Sequence, residues 1–233
     1  MNHLVIAARP GWLAIDKPTG VSIHNDPGHD LISLTGKLLK QDSQLASTCA
    51  WEKAFSPSAV HRLDRETSGV VLISTSTESA RTLSGQFAER TVSKVYRAVL
   101  AGKTLPVHGK WEFALVDASC GRVDPAGPKS QQKDCVSLFK KIRDNEFFCE
   151  VELSPLTGRQ HQLRRHATLA GHQVIGDRRY GNPKYADKIA KIYGCDRLFL
   201  HAEKLTFIDP SSSTTVLVEA KIPPDFLLLL EPK

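Results

Sequence analysis

The stretch HRLDRETSGVVLIS, from His61 to Ser74, is the strongest indication of the fold. Its apolar part, extended to Gly69–Thr75, is rich in β-branched residues and apolar on both faces, which is typical of a buried central strand. The polar part before it places Asp64 on a loop or strand edge at the margin of the core. Arg62 and Arg65 flank this carboxyl group, and adjacent cations favour its ionised form. A charged nucleophile and a carboxylate that caps the following turn both fit this pattern.

Helix and strand patterns alternate on both sides of this stretch. Apolar spacing predicts helices over Leu31–Lys40 and Glu78–Glu89, and period-two alternation predicts a strand over Ser93–Leu100. Two short strands are expected around the Arg9-Pro10-Gly11 turn, and the polar residues 41–58 are expected to form a loop. These patterns predict an α+β fold, with a single catalytic domain over residues 1–233. The predicted sheet is mixed and largely antiparallel, with flanking helices and loops.

A second informative stretch, SPLTGRQHQLRRHATLAGH, runs from Ser154 to His172. The Thr157 and Gln160 spacing matches a capping box and predicts a helix that starts there. Arg164 lies beside the apolar stripe of this helix, while His161 and Arg165 share another face. The stripe consists of Leu163, Ala167 and Ala170. Free backbone donors near Arg159, at the helix start, would suit a phosphate group.

The charge distribution points to a polyanionic partner. The chain has 233 residues and a formal net charge of +6. Ten Lys or Arg and four Asp or Glu lie between Ser154 and Lys204, so this stretch carries the whole excess. A concentrated basic face favours nucleic acid, although a solvated surface without a partner has the same composition.

Several classes of protein lack sequence support. No apolar run approaches the ~20 residues of a membrane helix, and no secretory signal begins the chain. The five cysteines are widely spaced without a CxxC pair, which indicates a reducing cytoplasm. His161 and His166 fall on different helix faces, so a metal site is not expected, and no phosphate-binding glycine motif supports a nucleotide cofactor.

Six pieces of the chain, in order, resemble the RluA-type family of RNA pseudouridine synthases. They are DKPTGV (Asp16–Val21), HRLDRETSG (His61–Gly69), SKVYRAVLAG (Ser93–Gly102), LTGRQHQLRRH (Leu156–His166), GHQVIGDRRYG (Gly171–Gly181) and LFLHAEKLTF (Leu198–Phe207). The resemblance implies isomerisation of uridine to pseudouridine in structured ribosomal or transfer RNA, without cofactor or metal. The base would be flipped out of its helix, because its reacting atoms are inaccessible when it is paired.

The resemblance also implies roles for individual residues. Asp64 matches the essential aspartate, which either attacks the ribose or removes a ribose proton. Tyr96 matches the tyrosine that packs on the target base, and Arg164 matches the arginine that pairs with the aspartate. Arg62 matches a residue that enters the helix where the uridine has left, and Leu200 matches the apolar wall around the base. The remaining residues expected to bind RNA or uridine are Arg65, Arg159, His161 and Arg165.

The chain departs from the family pattern at Gln160, Arg165, Ala167 and Asp209, which bears on RNA preference. The core is expected to begin by about Leu4, without the separate N-terminal RNA-binding module of longer relatives. Selectivity would then come from the catalytic domain, with residues 103–135 as a candidate RNA-gripping edge. The protein is expected to be a monomer.

Two other functions fit parts of the sequence. A catalytically silent RNA-binding protein would need the basic surface but not Asp64, so the intact set of Asp64, Tyr96 and Arg164 counts against it. A carboxylate glycosidase would use Asp64 and Glu66. The two carboxyl groups are only two residues apart on the chain, in a segment that also holds Arg62 and Arg65. The glycosidase is therefore the third choice, after the synthase and the silent RNA-binding protein.

Overall fold

The computed structural model describes residues 4–102, 105–118 and 120–231. In chain order, its strands and helices are β1 (Val5–Arg9), β2 (Trp12–Lys17), α1 (Leu31–Gln41), α2 (Ser43–Thr48), β3 (Ser58–Ala59), β4 (Ser68–Ser74), α3 (Thr77–Ala88), β5 (Ser93–Ala101), β6 (His108–Trp111), β7 (Ser137–Asp144), β8 (Phe148–Pro155), α4 (Gln162–Leu169), α5 (Pro183–Tyr193), β9 (Leu200–Ile208), β10 (Thr215–Glu219) and α6 (Asp225–Leu228). The predicted α+β class is confirmed. Every strand pair with a described register is antiparallel.

The chain forms two compact units, residues 1–94 with 202–221 and residues 95–201 with 222–233. In the first unit the strand order is β1-β2-β4-β9, with β10 on β9 and β3 on β4. Strand β4 is buried along its whole length, as its apolar sequence predicts. The predicted helix over Glu78–Glu89 is present as α3, and it packs Leu83 and Phe87 into the same core as β4.

In the second unit the strand order is β5-β8-β7-β6. Tyr96, Ala98 and Leu100 of β5 all join one hydrophobic core, whereas Val99 packs in another, so the predicted alternation of this strand is confirmed. Leu163 and Ala167 of α4 belong to the first of these cores and Ala170, directly after the helix, packs against it, which confirms the apolar stripe.

Two local predictions were wrong. Residues 41–58 include the short helix α2, because the Asp42 side chain accepts a hydrogen bond from the Leu45 N–H (2.9 Å) and caps it. Helix α4 starts at Gln162 rather than near Thr157. The Gln162 side-chain oxygen accepts from the Thr157 hydroxyl (2.8 Å) and the Arg159 N–H (3.1 Å), which holds the preceding residues in a turn.

Asp209, one of the departures from the family pattern, is fully buried in the first unit. Its carboxylate accepts from Trp12 Nε1 (3.1 Å) and Arg9 Nη1 (3.2 Å). The described contacts therefore give Asp209 a structural place between β9 and β10.

Candidate active site

Asp64 lies in the loop between β3 and β4, and its side chain is half-buried. The Thr67 N–H donates to the Asp64 carbonyl (3.1 Å), so the backbone turns immediately before the buried strand begins. The neighbouring Arg62 and Arg65 side chains are exposed. The structure thus places Asp64 at the margin of the core, as the sequence predicts.

A buried lysine holds this loop against the segment that follows β2. The Lys17 side chain is fully buried, and its Nζ donates to the carbonyl oxygens of Val21 (2.8 Å), Pro18 (3.0 Å) and Arg65 (3.1 Å). Further bonds join the same two segments: Gly20 N–H to the Arg65 carbonyl (2.8 Å), Arg65 Nε to the Gly20 carbonyl (2.8 Å) and the Thr19 hydroxyl to the Glu66 carbonyl (2.7 Å). Hydrogen bonds donated by each of the two segments therefore hold the backbone beside Asp64 in place. A reactive carboxylate needs this kind of preorganisation.

His61, at the start of the same stretch, is a structural acceptor. Its Nε2 accepts from the Leu72 N–H (2.9 Å), and its ring stacks on Phe87 with centroids 4.7 Å apart. Burial, together with the charge of Lys94, lowers the pKa of His61 to about 3. The imidazole is neutral at physiological pH and ties the loop to β4.

Tyr96 and Leu200 lie in the second unit. Tyr96 is half-buried on β5, opposite Leu153 of β8. Leu200, at the start of β9, is buried in the same core against which Tyr96 packs. An aromatic ring and an aliphatic side chain thus share one apolar cluster, while part of the tyrosine reaches the surface.

Arg164 forms a two-pronged ion pair with Asp177. Its Nε donates to Oδ2 (2.8 Å) and its Nη2 to Oδ1 (2.9 Å), and both side chains are buried. Oδ1 also accepts from the backbone N–H groups of Arg179 (2.9 Å) and Tyr180 (3.0 Å). The Arg164 guanidinium lies over the Tyr180 ring, 5.4 Å from its centroid, which adds a cation–π contact.

Two more of the predicted RNA-binding residues lie around the start of α4. His161 precedes the helix in a left-handed conformation (φ 54°), and its Nδ1 is hydrogen-bonded to the Tyr180 hydroxyl (2.8 Å). The Arg159 guanidinium pairs with Asp117, which also accepts from Lys133 Nζ (2.8 Å). The hydrogen bonds from Lys133 and Arg159 hold the pKa of Asp117 below its ordinary value.

Arg165 was expected to contact RNA, but the structure places it in the interior. Its side chain is fully buried. The guanidinium donates to five backbone carbonyls, those of Pro125 (2.6 Å), Val116 (2.9 Å), Gln160 (3.1 Å), Ala126 (3.1 Å) and Ala118 (3.3 Å). Arg165 therefore holds the 116–126 loop against α4. That loop belongs to the candidate gripping edge 103–135, of which residues 103, 104 and 119 lie outside the described residues.

Three supporting residues were missed by the sequence analysis: Lys17, Asp177 and Tyr180. Lys17 lies in the piece DKPTGV, and Asp177 and Tyr180 lie in GHQVIGDRRYG, but the family resemblance implied no role for them. Asp177 is the first acidic residue of the basic stretch, and Lys17 ends a strand that is otherwise apolar apart from Asp16. An acidic residue within a basic stretch and a charge at the end of a buried strand are the signals that could have found Asp177 and Lys17.

Within the described ranges, no group of three or more His, Cys, Asp or Glu side chains is arranged to hold a metal ion. No described helix combines the length and apolar character needed to cross a bilayer.

Comparison with known proteins identifies the family to which this chain belongs. Residues 11–169 match the model of the RNA pseudouridylate synthase family, and this chain belongs to that family. The match includes Asp64, Tyr96 and Arg164, which lie within those residues.

Curated relatives extend the match along the chain. A ribosomal large subunit pseudouridine synthase C from Vibrio parahaemolyticus is 32% identical over 94% of this chain and 66% of its own length. A ribosomal large subunit pseudouridine synthase D from Neisseria meningitidis is 34% identical over 94% of this chain and 58% of its own. This chain thus spans less than two thirds of the length of these relatives. A tRNA pseudouridine synthase C from Vibrio vulnificus is 28% identical over 91% of this chain and 87% of its own length.

Among solved structures, human RNA pseudouridylate synthase domain containing 4 is similar, with a TM-score of 0.77 and 22% identity. The similarity covers 97% of this chain and 91% of that one, and it confirms the fold.

Proposed function

We propose that this protein isomerises uridine to pseudouridine in structured ribosomal or transfer RNA, with Asp64 as the essential carboxylate and residues 1–233 as one catalytic domain. The observation that carries the proposal is the anchored Asp64 loop, in which Lys17 binds the carbonyl of Arg65, next to the aspartate, together with those of Pro18 and Val21. Family membership and the ribosomal and transfer RNA synthases among its relatives support this choice of reaction.

The reaction exchanges one bond to the ribose for another. The bond from the ring nitrogen of uracil to the ribose breaks, the base rotates while it is held, and a ring carbon forms the new bond. The displaced ring proton leaves that carbon, and the nitrogen gains one, so the product is an isomer. Asp64 acts at the ribose, either by attack or by removal of a ribose proton.

The other residues bind and orient the nucleotide. Tyr96 stacks on the flipped base, a contact that any base can make through its π-face. Leu200 contributes to the apolar wall, and the family resemblance gives Arg164 the role of keeping the proposed Asp64 carboxylate charged. Arg62 enters the RNA helix in place of the uridine, and the unstacking cost of a few kcal/mol is offset by phosphate contacts. Arg65, Arg159 and His161 belong to the proposed RNA surface.

The decisive experiment compares Asp64→Asn with Glu66→Gln. Both variants neutralise a carboxyl group in the same loop, and the Glu66 side chain is exposed. Purified wild type and variants are incubated with unmodified tRNA and ribosomal RNA transcripts, and pseudouridine is located by chemical tagging and primer extension. We expect product from wild type and Glu66→Gln, and none from Asp64→Asn.

The alternatives give different results in the same assay. RNA binding without product from wild type would support the catalytically silent RNA-binding protein. Release of free uracil, lost in both variants, would support the glycosidase. Turnover by Asp64→Asn would overturn the role given to Asp64. In cells that lack the protein, loss of a defined pseudouridine would identify the substrate.

A further inference from the structure

Most of the Lys and Arg side chains in the basic stretch 154–204 contact other groups of the protein. Seven of its ten cations are engaged by the protein itself. Five are in ion pairs: Arg159 with Asp117, Arg164 with Asp177, Arg178 with Asp187 and Asp196, Arg197 with Asp225, and Lys204 with Glu203 and Glu219. The sixth, Arg165, is buried on backbone carbonyls. The seventh, Arg179, stacks on Tyr180, and its Nε donates to the Cys120 carbonyl (3.2 Å).

The remaining three cations lie on one helix, α5. Lys184, Lys188 and Lys191 follow the spacing i, i+4, i+7. At 3.6 residues per turn they fall within an arc of about 60° and span about 10 Å of the helix axis. All three are exposed, and in the described part of the chain none of them takes part in an ion pair. We call them the lysine face of α5.

The lysine face is carried by a rigid helix. On the opposite side, Ala186 and Ile189 are buried, and Tyr185 and Tyr193 pack on the core that contains Ile189. The Asn182 side chain caps the helix by accepting from the Lys184 N–H (3.0 Å). The one acid beside the lysines, Asp187, is paired with Arg178, so its charge is already compensated. The three lysines thus lie on one exposed face of a helix that is anchored to the core, without a described protein partner.

We propose that the lysine face of α5 binds the sugar–phosphate backbone of the RNA substrate. The proposal rests on the proposed function for the identity of the RNA. Lysine binds phosphate as a point charge, and contacts of this kind position a nucleic acid without reading its sequence. Along the chain, only Gly181 separates the helix-capping Asn182 from Tyr180, which contacts Arg164. Backbone contacts on α5 would therefore orient the RNA on the same unit that holds Arg164 and Tyr96.

The test uses two triple variants that remove the same charge. Lys184→Gln, Lys188→Gln and Lys191→Gln are combined in one protein, and Lys40→Gln, Lys53→Gln and Lys221→Gln in the other. The control lysines are also exposed. Glutamine has nearly the helix propensity of lysine, so α5 is preserved. Binding of an unmodified tRNA transcript is measured by filter retention from about 50 to about 200 mM salt.

For the α5 variant, we expect the slope of log affinity against log salt to become shallower by roughly 2 to 3, since each lost phosphate contact removes 0.7–0.9. In turnover assays the loss should appear as a raised KM. The control variant should keep the wild-type slope. A wild-type slope in the α5 variant, or an equal change in both variants, would overturn the proposal. Failure of the proposed function is seen separately, as absence of pseudouridine from the wild-type reaction.

Discussion

Asp177 accepts both arms of the Arg164 guanidinium, at 2.8 and 2.9 Å, inside the second unit. The backbone N–H groups of Arg179 and Tyr180 also donate hydrogen bonds to its Oδ1. The orientation of Arg164 therefore depends on a residue in the turn after α4 as well as on its own helix. Removing one partner of such a buried pair is strongly destabilising.

Asp177→Asn should lower the free energy of unfolding by about 3 kcal/mol, because the buried Arg164 guanidinium loses two charge-assisted hydrogen bonds to this carboxylate. Urea unfolding measures the loss. The matched control is Asp187→Asn, which breaks the exposed pair with Arg178 and should cost less than about 1 kcal/mol. Equal losses in the two variants would contradict the importance given to the buried pair.

The same variant should change the response to acid. Burial acts to raise the pKa of Asp177, but the hydrogen bonds and charge of Arg164 and the N–H groups of Tyr180 and Arg179 bring it below its ordinary value. A folded-state pKa below the unfolded one stabilises the protein above pH ~4, and this stabilisation is lost as the pH falls through the folded-state pKa. The stability difference between wild type and Asp177→Asn should therefore narrow below pH ~4, and a constant difference would refute this assignment.

Lys17→Met should destabilise the protein by about 2 to 4 kcal/mol, because three backbone carbonyls lose a buried donor. Since one of these carbonyls belongs to Arg65, the Asp64 loop should loosen and turnover should fall with it. Urea unfolding and pseudouridine formation are measured together. Lys53→Met, at an exposed position, serves as the control. Full activity in Lys17→Met would show that the loop does not need this lysine.

Gly69→Ala should be severely destabilising, by about 3 kcal/mol or more, because two independent constraints oppose a side chain there. The residue has φ +111°, and a Cβ would lie 2.2 Å from the Ala202 carbonyl oxygen. Gly36→Ala in α1 is the matched control, since its Cβ would meet nothing within 4 Å. Alanine at that helical position should stabilise by up to about 1 kcal/mol. Thermal unfolding of both variants checks the prediction, and a wild-type melting temperature for Gly69→Ala would disprove it.

Arg165→Lys should release the 116–126 loop while conserving the charge. A lysine ammonium has three donors and lacks the guanidinium fork, so it cannot serve the five carbonyls that Arg165 binds. Trypsin cleavage after the exposed Arg122 should accelerate several-fold, as followed by mass spectrometry. Arg81→Lys, on the surface of α3, should leave that rate unchanged. An unaltered rate in Arg165→Lys would mean that other contacts hold the loop.

His166 should make the protein sensitive to mild acid. Its Nε2 lies 2.9 Å from the Phe113 carbonyl oxygen, and burial lowers its pKa to about 4, opposed in part by that hydrogen bond. Between the ordinary pKa of 6.5 and about 4, the unfolded chain binds a proton that the folded protein does not. Stability from this group is therefore complete above pH ~6.5 and declines as the pH falls toward ~4.

The measurement is the urea midpoint as a function of pH for wild type, His166→Gln and the exposed-site control His24→Gln. The advantage of wild type over His166→Gln should shrink as the pH falls from about 6.5 to about 4. His24→Gln should parallel wild type over that interval. Parallel curves for wild type and His166→Gln would be inconsistent with a neutral buried imidazole.

Local periodicity was enough to predict much of the fold and the setting of Asp64. Alternation placed Tyr96, Ala98 and Leu100 on one side of β5, and all three meet in one core. The change from charged to apolar residues placed Asp64 just before a buried strand. These features depend on the geometry of neighbouring residues, which is the same in every strand and helix.

The tertiary structure alone decided which charges are buried and what binds them. Arg164 and Arg165 are adjacent and chemically identical, yet one pairs with Asp177 and the other binds the carbonyls of a loop some forty residues earlier. Lys17 likewise binds a carbonyl of Arg65, 48 residues away. Sequence spacing carries no information on such partners, because a buried cation is stabilised by whichever distant acceptors the packed chain brings to it.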